Sequence, residues 1–384
     1  MSYRRVVLTA GFAMFSMFFG SGNLVFPLLL GKEVMDMSVY ATFGFVLTAV
    51  FVPFLGLLGM ILYDGDTNRY FSHLGKIPAF LLILIILSLM GPLGVVPRCI
   101  SVAYGGLNVM YPSLSYPGFS LIYCTLIAIL IWRSNKVVDI IGLLLTPFKL
   151  GGLMFLMLAG LYFAQSAPVS AFTGPRAFHQ GLTLGYHTMD LMAAFFFSAT
   201  TVKYLRDHLR EGDGRSKLLR LSISSALIGA LILSLSYIGF VALGAKYALQ
   251  LDGVRPESLL VVISQMTLGD IALPIVSFTM FVACLATSVI LTILFVEFFQ
   301  KEVTSESITE KQSIVLTVIM TFAMSLLGFQ KIYELLGIIL ENIYPALIVL
   351  AITNIVNVIF QKDYGKVPFW VTLGMSILYG IVMA

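Results

Sequence analysis

One long apolar run near the N-terminus, which should form a single membrane helix, is interrupted at its centre. After Arg4 and Arg5 the chain stays apolar from Val6 to Leu30, but the middle reads Phe18-Phe19-Gly20-Ser21-Gly22-Asn23-Leu24-Val25-Phe26-Pro27. Two glycines, an asparagine and a proline each weaken a helix. At bilayer depth, unwound backbone survives only where protein or a water-filled cavity satisfies its polar groups. The segment therefore has to lie inside a bundle and border an internal chamber. The break also leaves two half-helix ends. Amides freed at an N-terminus attract carboxylates, and carbonyls at the opposite end attract cations.

Composition sets the environment. The chain of 384 residues is 59% hydrophobic and 11% charged, with a mean hydropathy of +0.98; a soluble domain carries about 25% charged residues. Eleven apolar segments approach the ~20 residues that span a bilayer core. They run near Val6–Leu30, Val39–Tyr63, Pro78–Val109, Pro117–Trp132, Val137–Phe163, Leu182–Tyr204, Leu218–Leu243, Ile271–Phe299, Ser313–Phe329, Gly337–Phe360 and Val367–Ala384. The expectation is an all-α integral membrane protein forming one polytopic domain over residues 1–384. The first segment reads as a span rather than a cleaved signal peptide, because it stays apolar beyond the small residues around Ser21.

Basic residues give the topology. With the N-terminus inside, sixteen of the 23 Lys and Arg fall on cytoplasmic sides and five outside (Lys32, Arg176, Lys246, Arg255 and Lys331). Arg98 and Lys149 lie within spans. Eleven spans put the C-terminus outside. The basic cluster from Lys203 to Arg220 reads as a positive-inside anchor in the lipid bilayer, with no nucleic acid as partner. Cys99, Cys124 and Cys284 fall in apolar segments without a CxxC pair and read as small buried hydrophobes. Two larger stretches, Ala164 to Gly181 and Ala245 to Asp270, are expected outside. The second carries Leu259-Leu260-Val261-Val262-Ile263, too short to span, which is either a lid over the outer mouth or a surface loop.

A second irregular helix opens the sixth segment: Gly185-Tyr186-His187-Thr188-Met189-Asp190. If segments one to five and six to ten are two repeats, both irregular helices hold the first place in their repeat. Five is odd, so the second repeat is inverted. Paired interruptions at matching places point to a transporter site near the midplane. The repeats would cover about 6–163 and 182–360, with a peripheral helix at about 367–384. This symmetry comes from helix count, since no residue-level repeat is visible.

Six stretches in order resemble the bacterial branched-chain amino acid:cation symporters (BrnQ-type). They are Gly11-Phe12-Ala13-Met14-Phe15 through Phe19-Gly20-Ser21-Gly22-Asn23-Leu24-Val25-Phe26-Pro27; Gly91-Pro92-Leu93 with Pro97-Arg98; Pro147-Phe148-Lys149; Gly185-Tyr186-His187-Thr188-Met189-Asp190; Ala283-Cys284-Leu285-Ala286-Thr287-Ser288 with Glu297-Phe298-Phe299; and Ile343-Tyr344-Pro345. The resemblance covers nearly the whole chain. It implies a LeuT-like 5+5 inverted repeat with discontinuous first and sixth helices. It also implies uptake of leucine, isoleucine and valine across the bacterial cytoplasmic membrane, driven by Na⁺ or H⁺, with no other cofactor. Three departures stand out. Leu28 replaces a second proline, Gly105 stands where a related third helix can carry a glutamate, and the family usually has twelve spans. Oligomeric state is left open.

Chemistry narrows the residues. A zwitterionic amino acid needs anion donors, cation acceptors and an apolar pocket. In the broken segment Gly20 to Asn23, the amides of Ser21 and Gly22 with the Ser21 hydroxyl suit the carboxylate; close helix packing is the other use for such glycines. The ammonium should meet carbonyls around Tyr186, Thr188, Met189 and Asp190, with or without the Asp190 side chain. A carboxylate there costs roughly 2.5–3.5 kcal/mol on insertion scales, so it either binds the ammonium or pins the unwound segment. Met189, Met192 and Phe195 are candidates for the apolar pocket. In LeuT-like transporters a hydroxyl pair on the eighth span completes a sodium site with carbonyls of the broken first helix. Carried onto this chain, the site comprises Thr287 and Ser288 hydroxyls with Ser16, Phe19 and Cys284 carbonyls; hydroxyls bonding their own helix are the alternative. Lys149, ~18 Å into the fifth span at 1.5 Å per residue, is the rival coupling group by proton transfer. Arg98 reads as structural, bonding helix-end carbonyls. The segment Gly20-Ser21-Gly22 lacks the third glycine of a dinucleotide fingerprint, there is no P-loop, and the histidines lack metal spacing. A carrier is therefore favoured over an enzyme, a channel or a non-transporting amino-acid sensor.

Overall fold

The structure is a computed structural model that describes residues 2–133, 150–209, 213–362 and 364–383; Lys149 lies outside the described residues. Every regular element among the described residues is helical. In chain order they are α1 (Tyr3–Phe18), α2 (Ser21–Val34), α3 (Ser38–Val46), α4 (Val52–Leu62), α5 (Thr67–Phe71), α6 (Lys76–Met90), α7 (Val95–Met110), α8 (Tyr116–Arg133), α9 (Leu150–Phe163), α10 (Gly174–Tyr186), α11 (Asp190–Asp207), α12 (Arg215–Lys246), α13 (Leu259–Leu268), α14 (Ala272–Phe298), α15 (Glu310–Ser325), α16 (Gly328–Phe360) and α17 (Val367–Met383). Among the described residues, five helical runs are by themselves long and apolar enough to cross a bilayer: Ser21–Leu62, Lys76–Met110, Arg215–Lys246, Ala272–Val303 and Gly328–Phe360.

Lipid-facing and core-facing sides follow from helical spacing. On α12, Leu227, Leu231, Leu235 and Ile238 are exposed along one face, while Gly229, Leu233, Tyr237, Phe240 and Gly244 are buried on the other. Both faces are apolar, the pattern of a helix between lipid and protein rather than between water and core. Interhelical contact instead selects small residues, since lipid tails are as apolar as leucine. A Cβ on Gly181 would lie 2.0 Å from the Ala41 carbonyl oxygen, and one on Gly44 would lie 2.2 Å from that of Phe178, so α10 and α3 touch backbone to backbone. Gly31 and Gly244 do the same for α2 and α12, at 2.0 Å from Val241 O and 2.1 Å from Leu28 O.

The main packings obey a five-segment shift. The first segment (α1, α2) packs on the seventh (α12), as the sixth (α10, α11) packs on the second (α3, α4), and the third packs on the eighth through α7 and α14. Residues assigned to one side of the membrane also gather at one end. Arg206 and Arg215 both approach Asp64, at 3.7 and 3.6 Å, and Tyr3 bonds Asp213. At the other end Gln180 reaches Glu33 at 2.8 Å, and the Ser170 amide reaches Asp36 at 2.9 Å.

Two stretches differ from the sequence reading, and a third falls to one of the two alternatives it left open. The third segment is not continuous: α6 ends at Met90 and α7 begins at Val95, across Gly91 to Gly94. The stretch Ala164 to Gly181, expected as an outer loop, already contains the start of α10 at Gly174. The short apolar piece after Ala245 is helix α13, with Leu259, Val261 and Ile263 fully buried against α2, α7 and α14, so it is a packed cover rather than a free loop. Just before α13, Glu257 seats in a notch on α7. A Cβ on Gly105 would lie 2.7 Å from Glu257 Cγ, and the Ser258 hydroxyl donates to the Gly105 carbonyl at 3.2 Å.

The backbone contact between α3 and α10 yields a test. Gly181→Leu should lower the melting midpoint of the detergent-solubilised protein by at least ~5 °C, the cost of overpacking an interface with no room for a side chain. An unchanged midpoint would mean that the helices are not in backbone contact.

Candidate functional site

Three helix breaks meet at the centre of the bundle. Between α1 and α2, the Gly20 amide, which in a continuous helix would bond the Ser16 carbonyl, donates to Asn23 Oδ1 at 3.0 Å. The N-terminus of α2 opens beside it, with Ser21, Gly22 and Asn23 buried. Between α10 and α11, Met189 is left-handed, with φ of +61°, and 1% exposed. A methionine in that conformation stores strain on the order of 1–3 kcal/mol. It is held by its N–H, which donates to the Tyr186 carbonyl at 3.0 Å, and by Arg98 Nη2, which lies 3.5 Å from its Sδ. The third break, Gly91 to Gly94, brings Met90 and Val95 to the same place.

These breaks border a narrow chamber of about 20 Å³, room for a water molecule rather than an amino acid, so its walls are drawn together in this conformation. Its polar side is Gly20, Ser21, Gly22, Asn23, Thr188, Asp190 and Thr287. Its apolar side is Met17, Phe18, Met90, Val95, Met189, Ala193, Phe197 and Leu291. Aromatic packing closes it on both sides: Phe18 lies edge-on to Phe197 with centroids 6.0 Å apart, and Phe26 meets His187, Phe329 and Tyr333 at 5.4, 6.1 and 5.7 Å.

Two buried ionisable side chains organise the centre. Asp190 opens α11, where a carboxylate faces the positive end of the helix dipole. Its Oδ2 accepts from Asn23 Nδ2 at 2.8 Å and from the Tyr237 hydroxyl at 2.9 Å. Asn23 Nδ2 also donates to Tyr237. Asp190 therefore ties the two irregular helices together. Arg98 is fully buried; its Nη1 donates to the His187 carbonyl at 2.9 Å, and its guanidinium lies 5.2 Å over the Phe26 ring. A cation thus already neutralises the carboxyl end of α10, where the substrate ammonium was expected to meet backbone carbonyls. On the far side of the break, the Leu191 amide donates to the Tyr344 hydroxyl at 3.1 Å.

The candidates for the coupling ion divide between two faces of α14. Thr287 borders the chamber, its Oγ1 3.2 Å from where a Gly20 Cβ would stand, and donates to the Ala283 carbonyl at 3.2 Å. Ser288 does not line the chamber; its Oγ lies 3.5 Å from the Tyr123 hydroxyl. Cys284 is fully buried, and Ser16 and Phe19 lie at the end of α1.

Comparison with known proteins decides the class. The sequence matches the branched-chain amino acid transport protein family across residues 3–384. The chain belongs to that family. Relatives include the branched-chain amino acid permeases BrnQ of Escherichia coli K12 (26% identical, spanning 98% of this chain and 87% of the relative) and BraB of Bacillus subtilis 168 (28%, 97% and 85%). Solved structures with the same fold include Mhp1, a nucleobase-cation-symport-1 family transporter, in a closed conformation (TM-score 0.68, 12% identical, covering 94% of this chain and 80% of that one). Another is MhsT in complex with L-phenylalanine (0.60, 13%, 98% and 98%). This member of the branched-chain amino acid transport family is a multi-pass membrane transporter with the LeuT-like fold, not an enzyme.

The structure brings Gly20, Ser21, Gly22, Asn23, Thr188, Met189, Asp190 and Thr287 to the transporter's chamber. Others lie elsewhere. Phe195, expected in the apolar pocket, is buried with its ring 5.4 Å from both Tyr70 and Phe71, on the opposite side of α11 from the chamber-lining Ala193 and Phe197. Tyr186 stacks on Tyr344 at 4.6 Å. The Ser21 hydroxyl accepts from the Cys99 thiol at 3.3 Å. Tyr237, Met90 and Val95 were missed; the Gly91-Pro92-Leu93-Gly94 run inside an apolar span is the signal that marks the last two.

Arg98 should matter far more to stability than its exposed counterparts. Arg98→Met leaves the buried His187 carbonyl without its charged partner, a loss on the order of 1–3 kcal/mol. The expected drop in detergent melting midpoint exceeds that of Arg206→Met, whose 3.7 Å approach to Asp64 is at the surface. Equal drops would show that the His187 carbonyl does not depend on Arg98.

Proposed function

We propose that the protein is a secondary active transporter that imports leucine, isoleucine and valine with Na⁺ by alternating access across a bacterial cytoplasmic membrane, with its N-terminus inside. The observation that carries this reading is the lining of the chamber, whose walls must part to admit an amino acid. It has helix-N-terminal amides at Ser21 and Gly22 on one wall and a sheath of Met17, Phe18, Met90, Val95, Ala193 and Leu291 on the other. An α-carboxylate meets the amides, and an aliphatic side chain meets the sheath. The substrate names of the BrnQ and BraB relatives agree with this chemistry. An aliphatic pocket separates side chains differing by one methylene by only about 1–3 kcal/mol, so all three amino acids are accepted.

The Na⁺ assignment rests on Thr287, whose hydroxyl stands beside the Gly20 break. With Ser288 turned toward Tyr123, the ion takes carbonyls of Ser16, Phe19 and Cys284 together with Thr287, and Ser288 joins when it leaves Tyr123. Hard, uncharged oxygen ligands suit a weakly held monovalent cation. Proton coupling through Lys149 is the competing reading, and the same experiment separates the two.

The test is leucine uptake by reconstituted protein under an imposed Na⁺ or pH gradient. Uphill uptake should follow Na⁺ and fall at least tenfold in Thr287→Ala. Uptake that ignores Na⁺ and fails in Lys149→Ala would replace sodium by protons. Gly22→Leu should abolish leucine binding while leaving insertion intact, because a side chain there meets the Phe26 ring and the Thr188 backbone at 3.2–3.3 Å. Normal leucine affinity in that variant would remove the carboxylate site from α2.

A further inference from the structure

We infer that Tyr237 is a positioning residue for transport: through Asp190 and Asn23 it holds the two irregular helices at one fixed separation, and so sets the shape of the site between them. This rests on the central chamber being the substrate site, as proposed above. Tyr237 does not line the chamber, so it acts without touching substrate.

The geometry is that of a strut. Tyr237 is fully buried in the C-terminal third of α12, and its ring is fixed edge-on to Phe45 with centroids 5.0 Å apart at 82°. The backbone of α12 is itself immobilised against both halves of the first segment. Gly244 presses on the Leu28 carbonyl of α2, and a Cβ on Gly229 would lie 3.2 Å from the Gly11 carbonyl of α1. A rigid helix therefore presents one hydroxyl to the place where the two breaks meet. That hydroxyl donates to Asp190 Oδ2 on α11 at 2.9 Å and accepts from Asn23 Nδ2 on α2.

Asn23 carries the restraint onward. Its Oδ1 takes the Gly20 amide at 3.0 Å, so its carboxamide plane also fixes the unwound residue of the first break. Its Nδ2 bonds Asp190 at 2.8 Å. Two donors from two segments, Asn23 and Tyr237, thus share one acceptor oxygen on a third, Asp190 Oδ2, and the separation of the breaks cannot change without releasing it. Tyrosine in a membrane helix ordinarily lies at the interface with its hydroxyl in water. Placing one at the core leaves its O–H dependent on protein partners, and here both partners come from the broken helices.

Two measurements test the strut. In proteoliposomes, Tyr237→Phe should raise the leucine KM about tenfold with kcat within twofold, since substrate groups are recognised at a loosened spacing while the chemistry of the chamber is intact. Tyr237→Phe added to Asp190→Asn should raise KM no further than Asp190→Asn alone, because the hydroxyl acts through that carboxylate. A KM that does not move, or two losses that simply multiply, would overturn the proposal; a purely structural tyrosine gives the second pattern. Independently, spin labels at Lys32 on α2 and Lys203 on α11 should show one narrow distance in the parent protein and a broadened one in Tyr237→Phe. An unchanged distribution would overturn the strut. If the parent protein moves no leucine, the functional reading fails by itself, and the label distances still decide whether Tyr237 spaces the breaks.

Discussion

Backbone groups released by a helix break inside lipid have no water to turn to, and an unpaired one costs several kcal/mol. The centre of this protein is built around meeting that demand. The Gly20 amide goes to Asn23, the His187 carbonyl to Arg98 and the Leu191 amide to Tyr344. Asn23 is local, but Arg98 and Tyr344 are long side chains from segments remote in sequence, so satisfying the second break also assembles the bundle. Arg98 and Asp190 share that interior without a direct bond between them, the guanidinium held by the His187 carbonyl and the carboxyl by Asn23 and Tyr237. The strain held at Met189 belongs to the same economy: its left-handed backbone turns α11 so that Asp190 reaches Asn23.

How much of this could be read from the sequence depended on residue type. The breaks at Gly20 and before Asp190 were legible because glycine, asparagine and aspartate are costly in an apolar helix. The break at Gly91 was less so, because hydropathy is unchanged on its two sides and two glycines around a proline and leucine pass as one span. The beginning of α10 was hidden for the opposite reason: Arg176, His179 and Gln180 give it the polarity of a loop, although its glycines mark the contact with α3. Phe195 shows how nearness in sequence misleads. Five residues on from Asp190 it has turned to the far side of α11, whereas Ala193 and Phe197, three and seven residues on, share the carboxylate's face. Tyr237 carried no signal at all, since an aromatic in an apolar helix is ordinary until its hydroxyl is seen to have a partner.

The division of labour between residue types follows from the solvent. Large apolar side chains fill the interior and coat the outside alike, so they do little to choose between alternative arrangements of the helices. Discrimination falls to glycines that permit backbone contact and to the few polar groups that must be paired. That places the architecture in a handful of positions such as Gly31, Gly44, Gly181 and Gly244.

The notch at Gly105 has a consequence for variation at that position. Glu257 can seat there only because α7 offers no side chain, with 2.7 Å separating a Cβ on Gly105 from Glu257 Cγ. Positions 105 and 257 therefore compete for a single volume: anything bulkier on the helix evicts the loop's glutamate, and a helix-borne acid would require a smaller partner opposite. An acid supplied by the loop differs from one fixed to the span in a simple respect. It departs whenever the segment carrying it lifts, so its presence at that spot is conditional on the cover being shut.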